Sequence, residues 1–160
     1  MPEIFISHSS RDYTAAGMLV ELIRAALVLP VANIRCTSVE GHGLSCGVST
    51  DDELKKEIKA CKVFIALISE SSMRSAYVLF ELGARWAVSK PIWPVTLGAQ
   101  GTALLNGPLS GCHALRATEP LSLCQLVADL GEALHLMPEP PAVYMQKVED
   151  LCRLANGAEQ

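Results

Sequence analysis

Positive charge is thin in this sequence. The 13 Lys and Arg residues face 17 Asp and Glu, a formal charge of −4, and the basic residues are scattered. A nucleic-acid backbone is bound by clustered Lys and Arg, so direct nucleic-acid contact is not expected. Long apolar runs are missing too. None approaches the ~20 residues of a membrane span, although 50% of the residues are hydrophobic. The chain runs straight into a strand-like segment without a basic-then-apolar leader, and the expectation is a cytoplasmic protein. Cys36, Cys46, Cys61, Cys112, Cys124 and Cys152 include no CxxC pair. Disulfide frameworks belong to small, secreted, loop-rich chains, so reduced thiols are expected. His8, His42, His113 and His135 are dispersed, and no metal cluster is legible. Only 19% of residues are charged, which suits a packed core and argues against disorder.

What is present is an alternation of short apolar runs and helical periodicities. Ile4-Phe5-Ile6 is strand-like and ends in the polar Ser7-His8-Ser9-Ser10. Met18, Leu22, Ala25 and Leu29 recur at helical spacing, predicting a helix over Tyr13–Leu29 with Asp12 as its cap and Pro30 as its stop. A second strand is expected over Asn33–Val39, then a loop bearing Gly41, Gly43 and Gly47, and a short helix to about Ala60. Val63–Ile68 is continuously apolar, as in a parallel strand covered on both faces. A serine cluster precedes a helix over Ser75–Ser89. Pro91–Leu97 reads as a fourth strand whose prolines suggest an edge or an irregular course. Cys112–Ala117 is a weak fifth strand, and helices follow over Leu121–Leu136 and Val143–Leu154.

This order predicts an α/β, flavodoxin-like doubly wound domain with a five-stranded parallel sheet. Such sheets bind ligands beyond the carboxyl ends of their strands, which directs attention to Ser7–Ser10, Val39–Thr50 and Ser69–Ser75. Residues 1–137 are assigned to the domain. Residues 138–160, opening on Pro138-Glu139-Pro140-Pro141, are assigned to a proline-bearing linker and a C-terminal helical extension.

Three segments carry a family resemblance. Ile4–Ser9, the loop Glu40–Thr50, and Val63–Ser69 followed by Tyr77-Val78-Leu79-Phe80-Glu81-Leu82-Gly83-Ala84 together resemble the Toll/interleukin-1 receptor (TIR) domain family, bacterial type. They are similar to its opening strand and first loop, its BB loop, and its third strand with the following αC helix. The resemblance implies one of two behaviours. The family includes NAD-consuming enzymes with a catalytic glutamate on the αC helix, here Glu81, and non-catalytic signalling modules that assemble through TIR–TIR contacts. Tyr77 stands where many bacterial members have Trp. The BB loop lacks the family's Arg-Asp-Pro-Gly pattern, keeping Gly47 where the glycine would fall.

The chemistry implied is cleavage of the nicotinamide–ribose bond of NAD, a substrate here and not a cofactor, to nicotinamide and ADP-ribose or its cyclic form. Departure of nicotinamide leaves an oxocarbenium-like centre. A carboxylate at ~4 Å and an effective dielectric of ~20 attracts such a charge by roughly 4 kcal/mol, about a thousandfold in rate before allowing for the ground-state pyridinium. Glu81 is the expected catalytic residue. Yet helical spacing alone makes it a surface charge, away from a stripe of Val78, Leu79, Leu82 and Trp86 and one turn from a pairing partner in Arg85. Tyr77 is a candidate pocket wall or a partly exposed aromatic. Ser7, His8 and Ser9 either bind phosphate and ribose or merely turn and cap the chain, with His8 the more structural of the three. Gly43 and Gly47 either make a BB loop that engages a neighbouring subunit or form a plain connection. Trp86 and Trp93 are assigned to packing. The resemblance further implies self-association and a fused or associated sensor module, as in antiphage defence. A nucleoside deoxyribosyltransferase-like enzyme, which shares the architecture and a glutamate nucleophile, is a third reading.

Overall fold

Every residue of the first strand is buried, and that decides the architecture. β1 (Ile4–Ser7) pairs in parallel with β2 (Ile34–Cys36) on one side and β3 (Val63–Ile68) on the other. β4 (Trp93–Thr96) and β5 (Leu115–Arg116) complete a five-stranded parallel sheet in the order β2-β1-β3-β4-β5. This is the flavodoxin-like order. The structure is a computed structural model that describes residues 1–36 and 50–157.

Alternation along the strands sorts the side chains into two cores. Ile4, Ile6, Val63, Ile65, Leu67 and Val95 point toward α1 (Tyr13–Leu27), α5 (Pro120–Leu134) and α6 (Pro141–Gly157). Phe5, Phe64, Ala66 and Ile68 point the other way, toward α2 (Thr50–Ala60) and α4 (Ala76–Ala87). Phe5 stacks on Phe64 with ring centroids 5.3 Å apart, because the β1–β3 register sets them side by side. A single-turn helix α3 (Glu70–Met73) joins β3 to α4, with Ser69 and Ser72 forming a reciprocal capping box.

Several local expectations are corrected. Asp12 occupies the N-cap position of α1 but makes no side-chain capping bond; its carboxylate accepts hydroxyls from Ser9 and Ser69 instead. α1 ends before Pro30, at Val28, whose φ of 53° is left-handed. β4 is interior, between β3 and β5. The N–H of Leu97 donates to Ile68 O and that of Ala117 to Thr96 O, so the even-numbered residues of β4 face β5. β4–β5 pairing starts only at Val95, so the donor missing at Pro94 falls before the ladder begins.

The segment set apart by its prolines shares the main core. Tyr144, Val148, Leu151 and Ala155 of α6 are buried with α1 and α5 residues. The N–H of Glu139 donates to Ala26 O at the end of α1. Gly131 lets the chain fold back closely after α5, since a Cβ there would lie 2.9 Å from both Leu136 O and Pro138 Cγ.

Candidate functional site

The carboxyl ends of β1 and β3 and the helix α4 converge on one polar cluster. Ser75 caps α4, accepting from the N–H of Val78. The helix then lays Val78, Glu81, Leu82 and Arg85 against the sheet. Glu81 is therefore only 4% exposed. Ser7, the last residue of β1, donates its hydroxyl to Glu81 Oε2. The expected stripe is corrected here. Leu79 and Trp86 face solvent, Trp86 at 61% exposure, and the inward turn is half polar.

That inward placement is stable because the second polar residue is fully occupied. Arg85 lies over the Phe64 ring, 5.8 Å from its centroid. Its guanidinium donates to the carbonyls of Ile58 (2.9 Å), Cys61 (3.0 Å), Pro91 (3.1 Å) and Lys62 (3.3 Å). A cation thus closes the negative carboxyl end of α2 and ties it to the starts of β3 and β4. The expected pairing of Arg85 with Glu81 is not made. Burial pulls the Arg85 pKa below its ordinary value.

His8 follows Ser7 into the cluster. Its Nδ1 lies 2.8 Å from Ser9 O, a pure acceptor, so Nδ1 carries the proton. Nε2 then accepts from the Cys36 thiol, 3.1 Å away at the end of β2. Burial lowers the His8 pKa. Burial first, and the charge of Glu81 second, push the Cys36 thiol up to about 12. Both groups are neutral near pH 7, an arrangement suited to fastening strand ends and unsuited to nucleophilic attack. Beside it, Arg35 and the buried Glu57 form a two-point ion pair between β2 and α2.

Of the expected residues, the structure brings Ser7 and Glu81 into contact, with His8 adjacent. Ser9 donates to Asp12 at 2.9 Å and so belongs to the Asp12–Ser69 knot. Tyr77 lies one turn before Glu81 on α4 and is 65% exposed. Gly43, Gly47 and Cys46 lie outside the described residues. Sequence reasoning missed the Cys36–His8 bond and the Asp12–Ser69 knot. No spacing rule joins residues 28 or 57 positions apart, and only the sheet order does so. A concavity of about 610 Å³ lies elsewhere: mainly apolar, it sits by the amino ends of β4 and β5 and includes Pro91, Trp93, Leu115 and Ala133.

A doubly wound parallel sheet with a serine-held carboxylate at its carboxyl edge defines the class as a flavodoxin-like α/β domain. The TIR domain family model matches residues 4–126, and the chain belongs to the TIR domain family. Among curated proteins, uncharacterized protein YddK of Bacillus subtilis (strain 168) is 35% identical over 88 residues, consistent with the bacterial type. That stretch is 54% of this chain and 32% of the relative, so the chain spans about a third of the length of the protein it matches. Among solved structures, the TIR domains of the activated Roq1 resistosome directly recognizing the pathogen effector XopQ are similar. The TM-score is 0.49 and the identity 16%, over 97% of this chain and 84% of that one.

Proposed function

We propose that this TIR domain is an NAD glycohydrolase in which Glu81 is the essential carboxylate. The observation that carries the reading is the burial of Glu81 at the carboxyl edge of the sheet, held by the Ser7 hydroxyl. A carboxylate that is oriented and withdrawn from bulk water acts on a nearby developing cation through a lower effective dielectric. Its position is fixed by the helix, so little reorganisation accompanies the reaction. Nicotinamide leaves as a neutral base and needs no proton. Glu81 then stabilises the ribosyl cation until water, or an adenine nitrogen in a cyclising reaction, adds to the anomeric carbon. The products are nicotinamide and ADP-ribose or its cyclic form.

The domain acts as an assembly, and the outer face of α4 supports this. Tyr77, Phe80 and Trp86 are exposed there, Phe80 at 81%, and Leu79 lies exposed beside them. Ala76, Gly83 and Ala87 fill the rest of the outer side, without a charge. An uncharged outer face is unusual on a surface helix. It offers a few hundred Å² per copy, short of the ~800 Å² per partner of a stable complex. Association through it is therefore concentration-dependent. The same face favours a second reading, a non-catalytic module that only assembles. In the enzymatic reading the assembly is the trigger, supplied in a cytoplasmic defence setting by a sensor fused to or associated with the domain. No helix among the described residues is long and apolar enough to cross a membrane.

The test is nicotinamide release from NAD at high protein concentration, with and without a crowding agent. Parent protein is expected to turn over NAD, and Glu81→Gln to lose at least about a hundredfold. Parental turnover by Glu81→Gln would overturn the assignment. No turnover together with reversible self-association would favour the scaffold, and base exchange on deoxynucleosides would favour the transferase.

A further inference from the structure

The amino ends of β4 and β5 do not close against one another. β5 is two residues long, and its pairing with β4 begins at Val95. No residue of β5 therefore stands opposite Trp93 or Pro94, and the mainly apolar concavity of about 610 Å³ lies there. Pro94, Val95 and Leu126 line it as buried residues, with Trp93 and Leu115 half-buried. We infer that this concavity binds a small hydrophobic amine, with its apolar body against Trp93 and Leu115 and its ammonium group toward Asp129 and Glu132 of α5.

Charge points to a cation. The lining carries two carboxylates and neither Lys nor Arg. Asp129 and Glu132 are three residues apart and share a face of α5. Asp129 accepts a hydrogen bond from Gln125 at 2.6 Å, and the Glu132 side chain makes no hydrogen bond or ion pair among the described residues. Both stand in the last two turns of α5, whose final turn has no basic residue. The carboxyl end of a helix is negative and favours cations, so this placement works against the stability of α5. A local rule broken without a compensating partner marks a place where function outweighs stability. Trp93 adds to the attraction, because an indole face draws cations more strongly than other aromatic rings.

The backbone decides against a peptide strand as the occupant. Even-numbered residues of β4 face β5, so the donor missing at Pro94 falls on this side. An extended segment that continued the ladder toward the start of β4 would find no N–H there. The volume suits a small molecule instead, within the roughly 300–1,000 Å³ of such sites. The concavity sits at the opposite end of the sheet from Ser7 and Glu81, and binding there is independent of the NAD reading.

The experiment adds 4-phenylbutylamine to the nitrogen-15-labelled full chain at pH 8, with 4-phenylbutyrate and butylamine as controls. The chain has two tryptophans, and a Trp86→Phe variant assigns the indole N–H signal of Trp93. The amine is expected to shift that signal saturably, with a dissociation constant of about a millimolar or below. The acid and butylamine are expected to bind at least about fivefold more weakly. The double variant Asp129→Asn/Glu132→Gln is expected to lose the preference for amine over acid and to melt at or above the parental temperature. Ala133→Phe, which fills the concavity, is expected to lose the shift with an unchanged circular dichroism spectrum. Equal binding of amine and acid by the parent would overturn the inference, as would no saturable shift, parental selectivity in the double variant or a lowered melting temperature. A Trp93 signal that moves on dilution of the free protein would make the concavity a contact between copies. At least about hundredfold tighter binding there of an amphipathic leucine–lysine peptide would make it a protein-docking site. Either result would overturn the assignment to an amine.

Discussion

His8 is held as a buried neutral ring, donating from Nδ1 to Ser9 O and accepting at Nε2 from Cys36. Its pKa is lowered in the folded state from an ordinary 6.5, so between the folded and unfolded values the unfolded chain binds the extra proton. Stability from this group is therefore complete above about pH 6.5 and falls as the pH drops below it. Urea melts of the parent and of His8→Gln across pH 5 to 8 are expected to show a steeper acid loss in the parent. Cys36 behaves in the opposite sense. With its thiol pushed up to about 12, it stays protonated at pH 8 and is expected to resist iodoacetamide until the protein is unfolded, as peptide mass mapping would show. Neither residue announced its partner in the sequence. The strand Ile4–Ile6 was legible as a run of apolar residues. The pairing of its polar end with Cys36 and Glu81 depends on β1 lying between β2 and β3, which no local pattern encodes.

At the scale of one element, α4 shows both what periodicity conveys and where it misleads. The helix itself, its Ser75 start and the inward Val78 and Leu82 follow from spacing. The inward Glu81 and Arg85 do not, since a hydrophobicity rule sends Leu79 and Trp86 inside before it sends a carboxylate and a guanidinium. Four backbone carbonyls waiting at the end of α2 and the starts of β3 and β4 reverse that order. Arg85→Met retains much of the volume but leaves those acceptors unanswered, with an expected loss of about 3 kcal/mol in chemical denaturation. NAD turnover should fall as well, because Glu81 lies one turn earlier on the same helix. Phe80→Glu has the opposite profile. It is expected to leave the melting temperature nearly unchanged and to move the sedimentation of concentrated protein toward monomer.

For the whole molecule, the parallel α/β architecture and the count of five strands were legible because strands and helices alternate cleanly. The allegiance of the last helix was less so. Prolines at 138, 140 and 141 resemble a linker, yet Tyr144, Val148, Leu151 and Ala155 lie in the same core as β1 and α1. Fully burying a large apolar side chain contributes roughly 1.5–3 kcal/mol, so removing α6 forfeits on the order of 5 kcal/mol, as much as many domains possess in total. A chain ending at residue 137 is expected to be soluble only in part and to lack a cooperative thermal transition. The opposite margin of the sheet-forming order ends in β5, two residues long, with exposed Arg116 as its final residue. A border that short gives an incoming strand almost no ladder to extend, and its charge repels a flat stack. Crowding this protein to concentrations that drive its helices together therefore carries little risk of fibril growth from that border.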